Sequence, residues 1–309
     1  ASPPPTPTAT PTRTRTRTPT GTEPEPPTET ATDTPTETST PTETATDTPT
    51  ATPKPEPAWP MHRYDAANTA RSPATGIPIG PVEKAWSTRI GHSSDSSPAV
   101  GVDTVYVGYS DGVAALDADD GTRRWDVPRP DALASSPALD GGSVFIGGSG
   151  ATSGAWALEA ATGEPRWSRT NATIESSPTL VDGTIVIGTH TGVLSFAADT
   201  GAEQWRFEPG SRFVGTPAVA GGTVYIGSSR GTLYALDAGS GERLWTFDTL
   251  NDIVGSPAVA GGRVFIGSLD RRVYAVDAAS GDRLWRFDTQ NDVVSSPAIA
   301  RGTVYVGSN

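Results

Sequence analysis

The residues of this chain that could do chemistry are few and far apart. Residues 227–231 read Gly-Ser-Ser-Arg-Gly and so fit the Gly-x-Ser-x-Gly string of serine hydrolases. That string presents a nucleophile only on a strand-to-helix turn with His and acidic partners. Here it lies between two short runs rich in β-branched and aromatic residues. We therefore predict a loop between strands and no catalytic serine.

Metal-ligating residue types are also present without the spacing that a metal site needs. The three histidines, His62, His92 and His190, lie in unrelated segments. Residues 117–121 read Asp-Ala-Asp-Asp-Gly, like the front half of a calcium loop, but Pro128 stands at the twelfth position where that loop needs Glu. The chain has no cysteine, which excludes disulfides and thiolate ligands. We predict no metal site and no catalytic residue.

The charge balance is acidic, with a formal net charge of −12. Only Lys54 and Lys84 are lysines, and this acidic, lysine-poor composition resembles proteins of extreme halophiles, whose carboxylates keep them hydrated in salt. Nucleic-acid binding is not expected, because phosphate contacts require clustered basic residues. The one basic run, Arg13, Arg15 and Arg17, is predicted to be solvated. No apolar run approaches the roughly eighteen residues of a membrane span.

The chain divides by composition at residue 57. Residues 1–57 are almost entirely Thr, Pro, Ala, Ser and acidic residues, with no aromatic residue and no Val, Leu or Ile. Such a segment buries too little apolar surface to offset its ordering entropy, so we predict a disordered stalk at 1–57 and a folded domain at 58–309. The chain begins at Ala1, and we expect an exported protein, extracellular or at the cell surface, with a lipid anchor upstream. An interdomain linker is the alternative.

A repeat of about forty residues runs through the folded part. Prolines in a Ser/Thr-Pro-Ala/Thr context are spaced 39 to 41 residues apart from Pro98 to Pro297. Tryptophans keep the same period, at Trp86, Trp125, Trp167, Trp205, Trp245 and Trp285. Each unit contains four short apolar runs, A to D, separated by Gly, Asp and Ser turns, which is the pattern of a β-propeller blade. We expect the tryptophans of run D to pack between adjacent blades.

The motifs of the repeat permit a family resemblance. Ala-x-Asp-x-x-x-Gly-x-x-x-Trp occurs at 235–245 and at 275–285, beside Ser-Ser-Pro-Ala and Val-Tyr-Val-Gly. This pattern resembles the pyrroloquinoline-quinone-like (PQQ-like) repeat, which implies an all-β propeller of four-stranded antiparallel blades. Residues 59–69 resemble the lead-in to such propellers in exported proteins of halophiles. The fold hosts dehydrogenases, assembly lipoproteins and sensor domains alike.

Five blades are complete in the sequence. They are followed by an A–B hairpin at 295–308 and preceded by a D-type strand at 82–90 that carries Trp86. In this architecture the first and last strands usually share one blade, which here would lack strand C. We therefore expect a propeller truncated at its C-terminus, from an intact ring of six to eight blades.

The resemblance also implies what a catalytic member would need. Quinoprotein dehydrogenases stack a quinone on a Trp floor and use a carboxylate-bound calcium, a catalytic Asp and commonly a vicinal Cys pair. The chain lacks cysteine, and its blades are too compact to contain the insertions that house such a site. A PQQ- or metal-dependent oxidoreductase is thus the alternative, and no cofactor is expected. We predict a non-catalytic scaffold that binds a protein or an extracellular polymer.

The predicted recognition surface lies on the loops that differ between blades. In a four-stranded meander the D–A and B–C loops share one face, and the A–B and C–D turns share the other. The predicted interaction residues are Asp95, Asp131, Glu175, Arg212, Asp252 and Asp292 in the D–A loops and Asp270 and Arg271 in one B–C loop. The alternative is that these charges only solubilise the surface. Asn171-Ala172-Thr173 is a glycosylation sequon in a predicted D–A loop, which makes Asn171 a candidate glycosylation site.

Overall fold

A computed structural model describes residues 60–70, 83–91, 93–128, 135–150, 153–170 and 172–309. Throughout these ranges the regular structure is β: 22 strands are present and no helix, so no helix is available there to cross a membrane. The strands form five four-stranded antiparallel sheets and one two-stranded sheet. The predicted all-β propeller architecture is confirmed.

Each four-stranded sheet is one blade with strands A, B, C and D in chain order. Blade 1 consists of β1 (Ala99–Val100), β2 (Thr104–Tyr109), β3 (Gly112–Asp117) and β4 (Arg123–Pro128). Blade 2 consists of β5 (Ala138–Asp140), β6 (Ser143–Gly148), β7 (Gly154–Glu159) and β8 (Pro165–Thr170). Blade 3 consists of β9 (Thr179–Val181), β10 (Thr184–Gly188), β11 (Val193–Ala197) and β12 (Glu203–Phe207).

The remaining strands continue the same order. Blade 4 consists of β13 (Ala218–Ala220), β14 (Thr223–Gly227), β15 (Thr232–Asp237) and β16 (Arg243–Asp248). Blade 5 consists of β17 (Ala258–Ala260), β18 (Arg263–Ser268), β19 (Arg272–Asp277) and β20 (Arg283–Asp288). The sixth sheet consists of β21 (Ala298–Ala300) and β22 (Thr303–Tyr305), which occupy positions A and B.

Burial follows strand position within each blade. Strands B and C are almost wholly buried, as in β6 and β7, whereas strand D is mostly exposed, as in β8. The apolar clusters form between adjacent blades: one joins Tyr106 of blade 1 to Ile146 of blade 2, and another joins Tyr225 of blade 4 to Ile266 of blade 5. The hydrophobic core therefore lies between the sheets, which is why B and C are apolar on both faces.

The strand D tryptophans join each blade to the next. The indole Nε1 of Trp205 donates to the carbonyl of Ala238 at 2.8 Å, and its ring covers Gly241 of the following C–D turn. The same contact is made by Trp86, Trp125, Trp167 and Trp245 with the carbonyls of Ala118, Ala160, Ala198 and Ala278. Trp285 is 40% exposed, because none of the described residues supplies a following C–D turn.

The predicted D-type strand at 82–90 is wrong for the described residues 83–90, which form no strand. The sixth sheet offers only strands A and B, so no described strand C is present to pair with this segment. Trp86 nevertheless takes the blade position of a strand D tryptophan, and Thr88 Oγ1 donates to the carbonyl of Gly121 at 2.5 Å. The segment is held by blade 1 and not by a sheet ladder.

A second chain of contacts joins the blades near strand A, through the residue before each repeat proline. The backbone N–H of Ser97 donates to the hydroxyl of Ser136, whose own N–H donates to Ser177, each at 2.9 Å. In the same way the N–H of Thr216 donates to the hydroxyl of Ser256, and the N–H of Ser256 donates to the hydroxyl of Ser296. The Ser/Thr-Pro motif thus supplies an acceptor for the preceding blade, which explains its regular recurrence.

Candidate functional site

Backbone hydrogen bonds sort the connections into two sets. In five places an N–H that follows strand B donates to a D–A loop carbonyl, for example Ser229 to Arg212 and Leu269 to Asp252, both at 2.9 Å. The residue after each strand C donates instead to an A–B turn carbonyl, for example Ala238 to Gly222 at 2.9 Å. We call the first set the loop face and the second set the turn face.

The strongest charged cluster on the loop face joins blades 3 and 4. Glu175 Oε1 lies 2.6 Å from His190 Nε2, and Glu175 Oε2 accepts from Nε of Arg212 at 2.9 Å and also from its Nη2. Burial alone would raise the pKa of Glu175, but the hydrogen bonds from His190 and Arg212 hold it below its usual value. Glu175 and Arg212 are therefore already paired with each other.

Two other predicted residues, Asp252 and Asp292, differ in whether their carboxylates have a partner. The carboxylate of Asp252 has no hydrogen bond or ion pair among the described residues, whereas Asp292 lies 3.8 Å from Nε of Arg271. Next to Asp252, Leu250 at the tip of the same D–A loop is 81% exposed. This exposed leucine was not among the sequence predictions, because no local pattern distinguishes it from a buried one.

Asp270 was predicted to belong to the recognition surface, and the structure corrects that assignment. Its side chain is only 3% exposed. Its Oδ2 accepts from the hydroxyl of Tyr274 at 2.5 Å and from the N–H of Leu250 at 3.1 Å. Both donors go to Oδ2, whereas the buried Oδ1 has no hydrogen-bond partner among the described residues. Asp270 therefore holds the Leu250 loop in place and does not face a partner.

The remaining predicted loop residues are placed only in part. Asp95 is exposed on the D–A side of blade 1. Asp131 and the candidate glycosylation site Asn171 lie outside the described residues. Ser229, the serine of the Gly-x-Ser-x-Gly string, is half-buried in a B–C loop, where its N–H donates to the carbonyl of Arg212 at 2.9 Å.

On the turn face, residues 60–70 cross the innermost strands of several blades. We call residues 60–70 the lead-in segment. Its carbonyls accept hydrogen bonds from the second residue of four A strands: Leu139 to Pro60, Val219 to Ala66, Val259 to Ala67 and Ile299 to Thr69, at 2.5 to 3.1 Å. Strand A would otherwise leave these donors unpaired at the inner edge of each blade. The lead-in segment thus acts as an added partner for the strand A edges.

Side chains of the lead-in segment fix it in place. Asn68 is 1% exposed, and its Nδ2 donates to the carbonyls of Thr216 and Pro217 at 3.1 and 3.0 Å. Burial, reinforced by the charge of Arg63, lowers the pKa of His62 to about 4, so this imidazole is neutral at pH 7. The sequence identified these residues as a lead-in but gave no sign that they bridge the blades.

Comparison with known proteins assigns the repeat. The family model described as outer membrane protein assembly factor BamB matches residues 82–195 and 189–309. The chain belongs to this family of PQQ-like repeats.

Two curated proteins are similar to this BamB-family chain over part of their length. BamB of Burkholderia pseudomallei (strain K96243), an outer membrane protein assembly factor, is 30% identical over 162 residues, which is 47% of this chain and 42% of that protein. The serine/threonine-protein kinase AfsK of Streptomyces griseus is 30% identical over 150 residues, 41% of this chain and 18% of the kinase. The chain therefore spans less than half the length of these relatives.

Solved structures agree on the fold of this BamB-family chain. BamB from Moraxella catarrhalis superposes with a TM-score of 0.63 at 23% identity, covering 72% of each chain. The quinohemoprotein alcohol dehydrogenase ADHIIG from Pseudomonas putida HK5 superposes with a TM-score of 0.68 at 21% identity, covering 75% of this chain and 48% of that one. At these identities the likeness is one of fold alone.

The described residues do not fit a quinone and its calcium. They contain no group of three His, Asp or Glu side chains that could hold a metal ion. A Trp floor for the quinone is not offered by Trp86, Trp125, Trp167, Trp205 and Trp245, because each places its ring on the glycine of the next blade. The resemblance of this BamB-family chain to quinoproteins is confined, in these residues, to the scaffold.

Proposed function

We propose that this chain is a non-catalytic propeller scaffold that binds a protein or an extracellular polymer through its loop face, outside the cytoplasm. The observation that carries the proposal is the exposed Leu250 beside the unpaired carboxylate of Asp252. Protein interfaces have an apolar core and a polar rim, so an exposed leucine with an unpaired carboxylate next to it can contribute to both parts.

The anchor is held rigidly. Leu250 N–H donates to the buried carboxylate of Asp270, and the hydroxyl of Thr249 donates to the carbonyl of Asn251 at 2.6 Å, with the carbonyl of Gly231 as a second acceptor at 2.9 Å. A loop that is ordered before binding loses less conformational entropy in the complex. The buried Asp270 therefore supports recognition indirectly, by fixing the loop that presents Leu250 and Asp252.

Export and surface attachment belong to the same proposal. The relative from Burkholderia pseudomallei is named for outer membrane protein assembly, which supports a location outside the cytoplasm. The Thr- and Pro-rich composition of residues 1–57 supports a stalk between the propeller and a surface. The acidic, lysine-poor composition supports a halophilic setting. Protease treatment of intact cells of the source organism tests the location, since an exported propeller is degraded and an internal one is protected.

The binding proposal is tested by charge reversal on opposite faces. The double substitution Asp252→Arg and Asp292→Arg should abolish partner capture from an extract while changing the unfolding free energy by no more than about 0.5 kcal/mol, as is usual for exposed loops. Leu250→Asp should have the same effect on capture, because it removes the apolar anchor. The matched control, Glu242→Arg with Asp282→Arg, changes two carboxylates beside the C–D turns and should capture normally. Equal capture by all of these variants would refute the loop-face proposal.

A further inference from the structure

A cleft on the turn face lies between blade 5 and the sixth sheet. Its volume is about 650 Å³, and the lead-in segment forms one side of it with Tyr64 and Asp65. Phe265, Ile299 and Val304 contribute apolar walls. The cleft is thus a partly apolar depression at the turn end of the propeller, on the face opposite to the loops discussed above.

Two arginines line this cleft, and both depart from the repeat. Arg263 opens strand B of blade 5, where the other five repeats have Thr104, Ser143, Thr184, Thr223 and Thr303. Arg301 is in an A–B turn, where the other five repeats have Val102, Gly141, Asp182, Gly221 and Gly261. Arg301 also has φ of +50°, a left-handed conformation that favours glycine. Blade architecture therefore does not require either arginine.

Neither guanidinium has an internal partner. The side chains of Arg263 and Arg301 form no hydrogen bond or ion pair with any residue in the part of the chain that the structure describes. Several other arginines are engaged: Arg124 contacts Asp103 and Asp117, and Arg272 contacts Asp288. The one carboxylate in the cleft, Asp65, already accepts from the N–H and hydroxyl of Thr69. The cleft therefore holds two guanidinium groups without a direct ionic partner against a single carboxylate, Asp65, and so has an excess of positive charge.

We propose that the Arg263–Arg301 cleft binds a peptide segment that carries a carboxylate next to an apolar side chain. A guanidinium presents paired N–H donors that match a carboxylate, and such charge-assisted bonds are stronger than neutral ones. The walls formed by Phe265, Ile299 and Val304 bury the adjoining apolar group. Because the chain carries a net charge of −12, a local pair of free arginines beside apolar walls favours carboxylate ligands at this cleft over the acidic surface elsewhere.

A second cleft on the turn face provides an internal comparison. It is about 690 Å³ in volume and has the apolar residues Met61 and Leu139 in its lining, but it also contains the carboxylates of Asp140 and Asp182. The carboxylates of the second cleft repel a carboxylate ligand. Binding that depends on shape and apolar lining would therefore occur in both clefts, whereas binding that depends on charge would occur only in the Arg263–Arg301 cleft. Substitutions in the two clefts therefore separate a charge-selective site from a nonspecific depression.

The test uses the full chain and three unlabelled, N-acetylated peptides, measured by isothermal titration calorimetry. The first peptide, Gly-Ser-Gly-Ser-Leu-Phe, has a free C-terminal carboxylate; the second is its C-terminal amide; the third is Gly-Ser-Gly-Glu-Leu-Phe as the amide. We expect the first or the third to bind at least about tenfold more tightly than the neutral amide, and whichever binds identifies a terminal or a side-chain carboxylate. Raising the salt concentration should weaken this preference.

Variants decide where the peptide binds. Arg263→Ala with Arg301→Gly should remove the preference for carboxylate, and Arg301→Gly suits the left-handed backbone at that turn. Arg283→Ala, an exposed arginine outside the cleft, and Asp140→Ala with Asp182→Ala should leave it unchanged. Equal binding of all three peptides, no binding up to about 1 mM, or unchanged preference in the double arginine variant would each overturn the proposal. The loop-face variants Asp252→Arg and Asp292→Arg should bind the peptides normally, so the two proposals fail separately.

Discussion

At the scale of single residues, the spacing between Asp, Gly and Trp in the repeat has a direct structural reason. Gly241 has φ of +73°, and it also receives the ring of Trp205 from the preceding blade. The same glycine therefore serves the turn of its own blade and the packing surface of its neighbour. Substitution at this position affects both functions at once.

This double role predicts a large effect at Gly241 and a small one two residues away. A Cβ at Gly241 would lie 2.6 Å from Cε3 of Trp205, and alanine would also be strained by the left-handed backbone. Gly241→Ala should therefore lower the unfolding free energy by about 2–4 kcal/mol in urea denaturation. Gly239→Ala is the control, because its nearest contact would be Asp237 Oδ1 at 3.5 Å, and it should change stability by less than about 0.5 kcal/mol. Similar losses in both variants would contradict the proposed role of the Trp205 contact.

The charged residues show what the sequence could and could not predict at this scale. The repeat placed Glu175, Asp252 and Asp270 on loops of one face, because strand order decides which connections share an end. It could not tell that Asp270 is buried while Asp252 is unpaired, since that depends on where Tyr274 and the N–H of Leu250 lie in three dimensions. Loop position was predictable from the strand pattern, but the pairing of side chains across a loop was not.

At the scale of elements, the strands were predictable and the segment before them was not. Strands B and C have near-continuous apolar runs with turns fixed by glycine, so their assignment follows from the sequence pattern. Residues 83–90 show the limit of that pattern, because a strand also needs a neighbour to pair with. The lead-in segment has no apolar periodicity, and its hydrogen bonds go to three blades and the sixth sheet. Such non-local pairing leaves no local signal in the sequence.

The burial of His62 makes the docking of the lead-in segment dependent on pH. The pKa of His62 is lowered to about 4 in the fold, whereas an unfolded histidine titrates near 6.5. The unfolded state thus binds the proton more readily, and the stability contributed by neutral His62 is lost as the pH falls from about 6.5 to about 4. The loss amounts to about 3 kcal/mol.

Denaturant unfolding of the wild-type chain and of His62→Gln checks this pH dependence. Other groups titrate equally in both proteins, so the difference between their unfolding free energies isolates His62. Between pH 7 and pH 4, the unfolding free energy of the wild-type chain should fall by about 3 kcal/mol relative to that of His62→Gln. The protection factors of the amides of Leu139, Val219 and Val259, which donate to the lead-in segment, should fall over the same range more in the wild-type chain than in His62→Gln. A constant difference across this range would show that His62 does not control the docking.

At the scale of the whole molecule, the two faces of the propeller differ in what covers them. The turn face carries the lead-in segment, which joins the A strands of blades 2, 4 and 5 and of the sixth sheet. The loop face has no comparable strap among the described residues, and its D–A and B–C loops bond to each other within blades. This asymmetry makes the loop face the broader open surface and leaves the turn face with clefts beside the strap.

The boundary between the proposed stalk and the propeller can be located by two deletions that differ by thirteen residues. Deleting 1–57 removes a segment without Val, Leu, Ile or aromatic residues, so it should shift the melting temperature by no more than about 1 °C. Deleting 1–70 also removes the lead-in segment, with the acceptors for four strand A donors and the buried Asn68. Buried donors left unpaired cost about 1–3 kcal/mol each, although water reaching the inner edges of the blades offsets part of that cost, so the melting temperature should fall by roughly 5–10 °C.

Differential scanning calorimetry of the two deletion variants beside the full chain measures both shifts. A large loss already in the shorter deletion would move the domain boundary into residues 1–57, and equal stability of both variants would show that the lead-in hydrogen bonds contribute little to the fold.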